Sequence, residues 1–247
     1  MFVKRIAIAF VALAIAGCGQ QGEPDLAEIL KRHADARGGA AAIEAVRAVE
    51  IEVQIAEPNF QVDGRYRATR DGKMRIDVVV DGQRVFSEGF DGTRGWQLPA
   101  NETAGTDMSP EGEAAVKRGI VGNLYGLHEL TGLGHTVTLR GREKIDDTDY
   151  WVVDATFADG FERRYFLDPE TYLIARVREE SALHPDVNPE EKRFETRPGD
   201  YRAVNGVLFG FKSEKRDLES GAVVQTDVTK TIAMNPQIDP AIFLRPE

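Results

Sequence analysis

The chain has 247 residues, 41 acidic against 31 basic, for a net charge of −10, and 42% of its residues are hydrophobic. So acidic a surface does not attract phosphate backbones or anionic headgroups, which leaves nucleic-acid binding without support. Cys18 is the only cysteine, so an internal disulfide and a multi-cysteine metal site are excluded and stability must come from an apolar core.

Lys4 and Arg5 form a positive n-region, Ile6 to Ile15 is an apolar run of ten residues, and Ala16-Gly17 precedes Cys18. As a helix that run rises roughly 15 Å, about half of a bilayer core, so residues 1–17 read as a signal peptide and not a span. Small residues directly before the cysteine resemble the lipobox of bacterial lipoproteins, whose thiol is diacylated and whose new amino terminus is acylated. Cleavage there leaves 29 basic against 41 acidic residues and makes lipidated Cys18 the membrane anchor. Gly19 in place of an aspartate leans towards the outer membrane, facing the periplasm. Residues 18–24 read as a short lipidated tether of about 20 Å at most, and residues 25–247 as the folded domain.

Asp25 with Glu28 opens a helix through Leu26, Ile29, Leu30 and Ala34, which Gly38-Gly39 end; Ala40 to Val46 read as a second short helix. From Val49 the period changes to two: Val49, Ile51, Val53 and Ile55 alternate with polar residues. Phe60, Val62, Tyr66 and Ala68 repeat the pattern, then Met74, Ile76, Val78 and Val80. Asp71-Gly72, Asp81-Gly82 and Asp91-Gly92 fall ten residues apart, the punctuation of a hairpin meander.

Pro99 to Ser109 reads as a polar loop, and Ser109-Pro110 as a helix start. The segment that follows is apolar but carries Gly119, Gly122, Gly126, Gly132 and Gly134. Each interior glycine costs a helix about 1 kcal/mol relative to alanine, so this segment is expected to lean on an apolar partner and to be able to release it. Strands resume at 136–145, 150–157, 161–168 and 172–180, then at 192–203, 207–217 and 222–234, with Ser181 to Glu191 as a polar loop and Pro236 to Pro246 as an irregular tail. The fold class is α+β: about eleven or twelve antiparallel strands in one sheet, with helices at the start and middle.

Phe90-Asp91-Gly92-Thr93-Arg94-Gly95-Trp96 resembles the F-D-G-x-x-G-W element of the LolA/LolB-like outer-membrane lipoprotein-sorting proteins. Tyr165 to Thr171, Asp200-Tyr201-Arg202 with Asn205-Gly206, and Asn235-Pro236 with Ile238-Asp239 extend the likeness over residues 26–246. The resemblance implies an unclosed β-barrel whose concave face, capped by helices, holds acyl chains. The soluble carrier of that system has no lipid anchor, whereas the acceptor does.

Alternation independently supplies a candidate lining. Phe60, Val62, Tyr66, Met74, Ile76, Val78, Phe86, Phe90 and Trp96 would face a cavity from the strands, and Leu124, Leu127 and Leu130 from the helical lid at 110–133. The competing reading is that they pack against one another as an ordinary core.

Catalytic and metal signals are weak. His128-Glu129 lacks a second histidine at Gly132, no G-x-S-x-G elbow is present, and His33 falls on a short amphipathic helix. The acidic pairs, such as Glu179-Glu180, fall in turns or at strand ends. Arg65 and Arg67 alternate to the face opposite Tyr66, and an inward arginine could grip a headgroup. The expectation is therefore a non-enzymatic, cofactor-free envelope protein that binds, and transfers, an acyl-bearing ligand such as a lipoprotein or lipid. A second reading makes the same fold a sensing or scaffolding module for a protein partner; a third, an envelope hydrolase, lacks a visible nucleophile and base.

Overall fold

The computed structural model describes residues 23–247, so the leader and Cys18 lie outside the described residues. The Asp25 carboxylate accepts the Glu28 N–H and starts α1 (Leu26–Ala36). Gly38 and Gly39, both at positive φ, turn the chain into α2 (Ala40–Glu44).

Six strands follow: β1 (Ala48–Glu57), β2 (Phe60–Thr69), β3 (Lys73–Val80), β4 (Gln83–Phe90), β5 (Gly95–Pro99) and the two-residue β6 (Thr106–Asp107). The β3–β4 turn places Asp81 and Gly82 at φ 50° and 77°, the left-handed pair that suits a two-residue hairpin. The Ser109 hydroxyl accepts the Gly112 N–H and caps α3 (Pro110–Leu124), which a 3-10 helix (Leu127–Leu133) continues after a break. The glycines expected to interrupt this segment leave α3 whole as far as Leu124. Seven more strands complete the chain: β7 (Thr136–Ile145), β8 (Thr148–Thr156), β9 (Glu162–Leu167), β10 (Ile174–His184), β11 (Asn188–Val204), β12 (Val207–Asp217) and β13 (Val223–Met234).

The thirteen strands of the described residues form one sheet in the order β6-β5-β4-β3-β2-β1-β13-β12-β11-β10-β9-β8-β7. The two meanders meet where β1 pairs with β13, with Val49 opposite Met234 and Ile51 opposite Ile232. β6 and β7 are unpaired edges, so the barrel does not close. The strand beyond the expected number is β6.

The polar loop expected at Ser181 to Glu191 is instead the tip of the long β10–β11 hairpin, where Pro185 to Val187 make the turn. The segment is polar although its backbone is paired.

Helices cover one face of the sheet. On one side of that face Val116, Ile120 and Leu124 of α3 pack on Val49, Tyr66, Ala68, Met74 and Phe90. On the other, Ile29, Leu127 and Leu130 pack on Trp151, Val153, Tyr165 and Leu167. On the outer face Tyr150, Val152 and Phe166 form a smaller core, and Arg176 and Arg178 lie over the Tyr150 and Phe166 rings. Among the described residues no helix is long and apolar enough to cross a membrane.

Candidate functional site

Between the inner face of the sheet and the helical segment lies a cavity of about 500 Å³. That is within the roughly 300–1,000 Å³ typical of small-ligand sites. Its apolar wall comes from Ile51, Val53 and Ile55 of β1, Tyr66 of β2, Ile76 of β3 and Ile232 of β13, with Val121, Leu127 and Leu130 on the lid side. The adjoining stretch of the sheet is polar: Thr196, Lys212, Ser213, Gln225, Asp227 and Thr229, with Asp227 directly beside Ile55 and Thr229 beside Val53. Asp227 accepts from the Ser213 hydroxyl and the Gln225 amide, both at 2.7 Å.

Nearby, Glu179 is gripped by Arg163 at 2.8 Å and Lys215 at 3.2 Å. Burial pushes this carboxyl up, but the two cations outweigh burial and hold it below the usual glutamate range. Arg37, at the C-cap of α1, also faces the cavity; its Nε donates to the Leu208 carbonyl at 3.3 Å. Burial lowers its pKa, and no carboxylate among the described residues pairs with it. His33 lies beside it with Nδ1 2.8 Å from the Tyr172 carbonyl, so Nδ1 carries the proton and Nε2 is left without a partner. Burial pushes the imidazole down to about 4.

Tyr66 and Ile76 also line a second cavity of about 350 Å³, and so form the partition between the two. Met74, Phe86, Met108 and Val116 supply its apolar wall, and Glu88 and Gln97 face it as a directly opposed cross-strand pair. Burial, with Asp186 adding to it, pushes the Glu88 carboxyl up to about 7. The tip of the β10–β11 hairpin reaches across the mouth as a strap. Asp186 accepts the Ser109 N–H at 2.7 Å, and His184 Nε2 lies 2.8 Å from Glu57 Oε1. The approach to α3 needs Gly112, where an added Cβ would sit 2.1 Å from the Asp186 carboxylate.

The lid is tied down at the end of β2. One Arg70 side chain donates to the carbonyls of Ile43, Val46 and Leu124 and to the Glu129 carboxylate, joining α2, α3 and the 3-10 helix. Its guanidinium stacks 4.2 Å from the Tyr125 ring.

No family model matches the sequence, and no curated protein is similar to it in sequence. Solved structures are similar in fold. A LolA superfamily protein of Nitrosomonas europaea superimposes with a TM-score of 0.55 at 14% identity, over 83% of this chain and 97% of that one. A domain described as outer-membrane lipoprotein-sorting, from Vibrio parahaemolyticus, gives 0.56 at 12% identity over 87% and 95%. The chain has the LolA/LolB-like fold. A DUF1329 family protein of Desulfovibrio piger shares it, with a TM-score of 0.57 at 12% identity over 90% and 98%.

Within the LolA/LolB-like fold the expected lining residues separate into groups. Tyr66, Ile76, Leu127 and Leu130 line the larger cavity, and Met74 and Phe86, with Tyr66 and Ile76 again, the smaller one. Phe90 and Leu124 are 4% and 2% exposed and are packed in the core. Phe60, Val62 and Val78 line neither cavity, and Phe60 is 48% exposed. Trp96 lies on the outer face: its indole covers Gly89 and donates to the Phe243 carbonyl at 2.8 Å. The tail expected to be irregular thus forms a 3-10 helix (Pro240–Phe243) that seals this indole. Arg65 and Arg67 pair with Glu52 and Glu50.

Sequence reasoning missed Ile51, Val53 and Ile55 as cavity residues, although their alternation was plain. It also missed Glu88, whose position between Phe86 and Phe90 put a charge on the apolar parity of β4.

Proposed function

We propose that this is an envelope lipoprotein, cleaved after residue 17 and anchored through acylated Cys18, whose folded domain from residue 25 binds and hands on acyl chains of lipoproteins or lipids. The observation that carries the reading is the unfilled 500 Å³ between an apolar sheet wall and the lid. Tyr66, Ile76, Leu127 and Leu130 would contact the chain there. The polar stretch beside that wall, with Arg37 and Lys212, suits a headgroup or carbonyl, so an amphiphile fits better than a plain hydrocarbon. Each buried methylene contributes about 0.8 kcal/mol, so eight give roughly 6 kcal/mol before the ordering cost. The same fold in a protein described as lipoprotein-sorting supports the choice of ligand class and an envelope location, facing the periplasm from the outer membrane.

The activity proposed is non-covalent: the lid moves and the chain leaves. The test is native mass spectrometry of the protein as purified from cells, with extraction of what it carries. Stoichiometric acyl-bearing lipid that passes to acceptor vesicles supports the carrier reading. A ligand-free protein that also fails to bind added fatty acid overturns it.

A further inference from the structure

We infer that the second cavity is a separate binding site for an amphiphile with a primary ammonium head, which Glu88 and Gln97 receive while the alkyl body lies against Met74, Phe86 and Val116. This site is distinct from the larger cavity, and the inference does not rest on the reading given to that one.

Glu88 and Gln97 stand directly opposite each other on β4 and β5, on the face that the helices cover. Neither side chain has a hydrogen bond or ion pair among the described residues, although both line the cavity. A carboxylate set among apolar walls without a partner is a costly arrangement that structure alone does not require.

The basic side chains on the adjoining elements are already engaged. Lys117 pairs with Glu113 at 3.5 Å and its Nζ lies 4.8 Å from the Phe90 ring centroid. His184 is held by Glu57 at 2.8 Å. The strap brings Asp186 to the same cavity, which deepens the negative potential. A ligand must therefore supply the positive charge. A primary ammonium group brings three donors, enough for both Glu88 oxygens and the Gln97 carbonyl. On the α3 side Ala115 and Gly119 are small and leave room for the body of the ligand, and a Cβ added at Gly119 would meet nothing within 4 Å.

The experiment is calorimetric titration of the full chain with octylammonium, 1-octanol and octanoate, each corrected by a protein-free blank. Octylammonium is expected to bind at least tenfold more tightly than 1-octanol, and octanoate more weakly than either. Glu88→Gln should abolish the preference for the ammonium while leaving 1-octanol binding in place. Gly119→Leu, which grows into open space from a helical position, should block octylammonium. Should that variant unfold, Glu88→Gln decides alone. Equal affinity for octylammonium and 1-octanol, or an ammonium preference that survives Glu88→Gln, would overturn the site. A parallel arm compares dihexanoylphosphatidylethanolamine with dihexanoylphosphatidylcholine. Glu88-dependent binding of the first alone assigns the ammonium to a lipid headgroup; octylammonium binding without it assigns a free amine. Failure here leaves the fatty-acid test of the larger cavity unaffected, and the reverse also holds.

Discussion

Arg70 and Glu129 meet through two contacts, and the second, from Nη2 to Oε2, measures 3.2 Å. Their side chains are 12% and 13% exposed, and each also holds backbone: Arg70 three carbonyls, Glu129 the Gly126 N–H. Removing one member leaves the other charge buried, a loss that runs to about 3–5 kcal/mol. Arg70→Met is therefore expected to destabilise the protein by about 3 kcal/mol or more in urea denaturation. Because the same side chain ties α2, α3 and the 3-10 helix together, hydrogen exchange at Leu124 to Leu130 should accelerate ahead of the sheet.

Trp96 and Gly89 make a second pair whose disruption separates stability from binding. A Cβ at Gly89 would sit 2.4 Å from the indole, so Gly89→Ala must displace the ring or the strand. The expected cost is about 1–3 kcal/mol. Trp96→Ala is expected to cost about 3–5 kcal/mol, since the indole is fully buried under Phe243. Neither change should alter how much fatty acid the folded protein takes up below its melting temperature, because both residues lie on the face away from the cavities.

Acid should weaken the fold through His33. Its imidazole takes a proton only near pH 4 when folded, against an ordinary 6.5 when unfolded. Between those values the unfolded chain binds more protons, so stability falls as pH drops from about 6.5 to 4, by up to about 3 kcal/mol. Glu88 works with the opposite sign. Its carboxyl, raised from 4.5 to about 7, contributes stability below pH 4.5 that is lost as pH rises towards 7. Over about pH 4.5 to 6.5 the two contributions offset each other, so in urea melts across pH 4 to 7.5 His33→Gln is expected to tilt the profile towards greater stability in acid, and Glu88→Gln to expose the acid-destabilising slope of His33.

The strap depends on one missing side chain. In Gly112→Ala the new methyl occupies the place of the Asp186 carboxylate, while the helix itself tolerates alanine well. The tip of the β10–β11 hairpin should then detach from α3. Limited proteolysis is expected to cut at Pro185 to Val187 several times faster than in the unaltered protein, and the thermal midpoint to fall modestly because the methyl also presses on the buried Met108 side chain.

Local patterns carried most of this architecture. Asp-Gly turns, two-residue alternation, the Asp25 and Ser109 caps and the Asn205-Gly206 hairpin are short-range signals, and each appears where its chemistry demands. What could not be read locally was pairing at a distance, above all β1 against β13, which brings Ile51 and Ile232 to one wall. Trp96 was misplaced for a reason of parity. Phe90 pairs with Gly95 across the Asp91–Arg94 turn, so Gly95 takes the inner face and Trp96 the outer one. Even-number spacing from Phe86 and Phe90 does not survive that turn. Glu88 was legible in principle, as a charge standing in an apolar row, but alternation alone does not say whether a cavity or a neighbour will receive it.

The central seam of the sheet joins the first strand of the described residues with the last. Until Val223–Met234 has been made, Ala48–Glu57 has a hydrogen-bonding edge with no mate, and the two meanders cannot merge. Assembly of the sheet therefore finishes only after its last strand is available. For most of its synthesis this protein exposes a bare β edge, the kind of surface on which a holding chaperone acts.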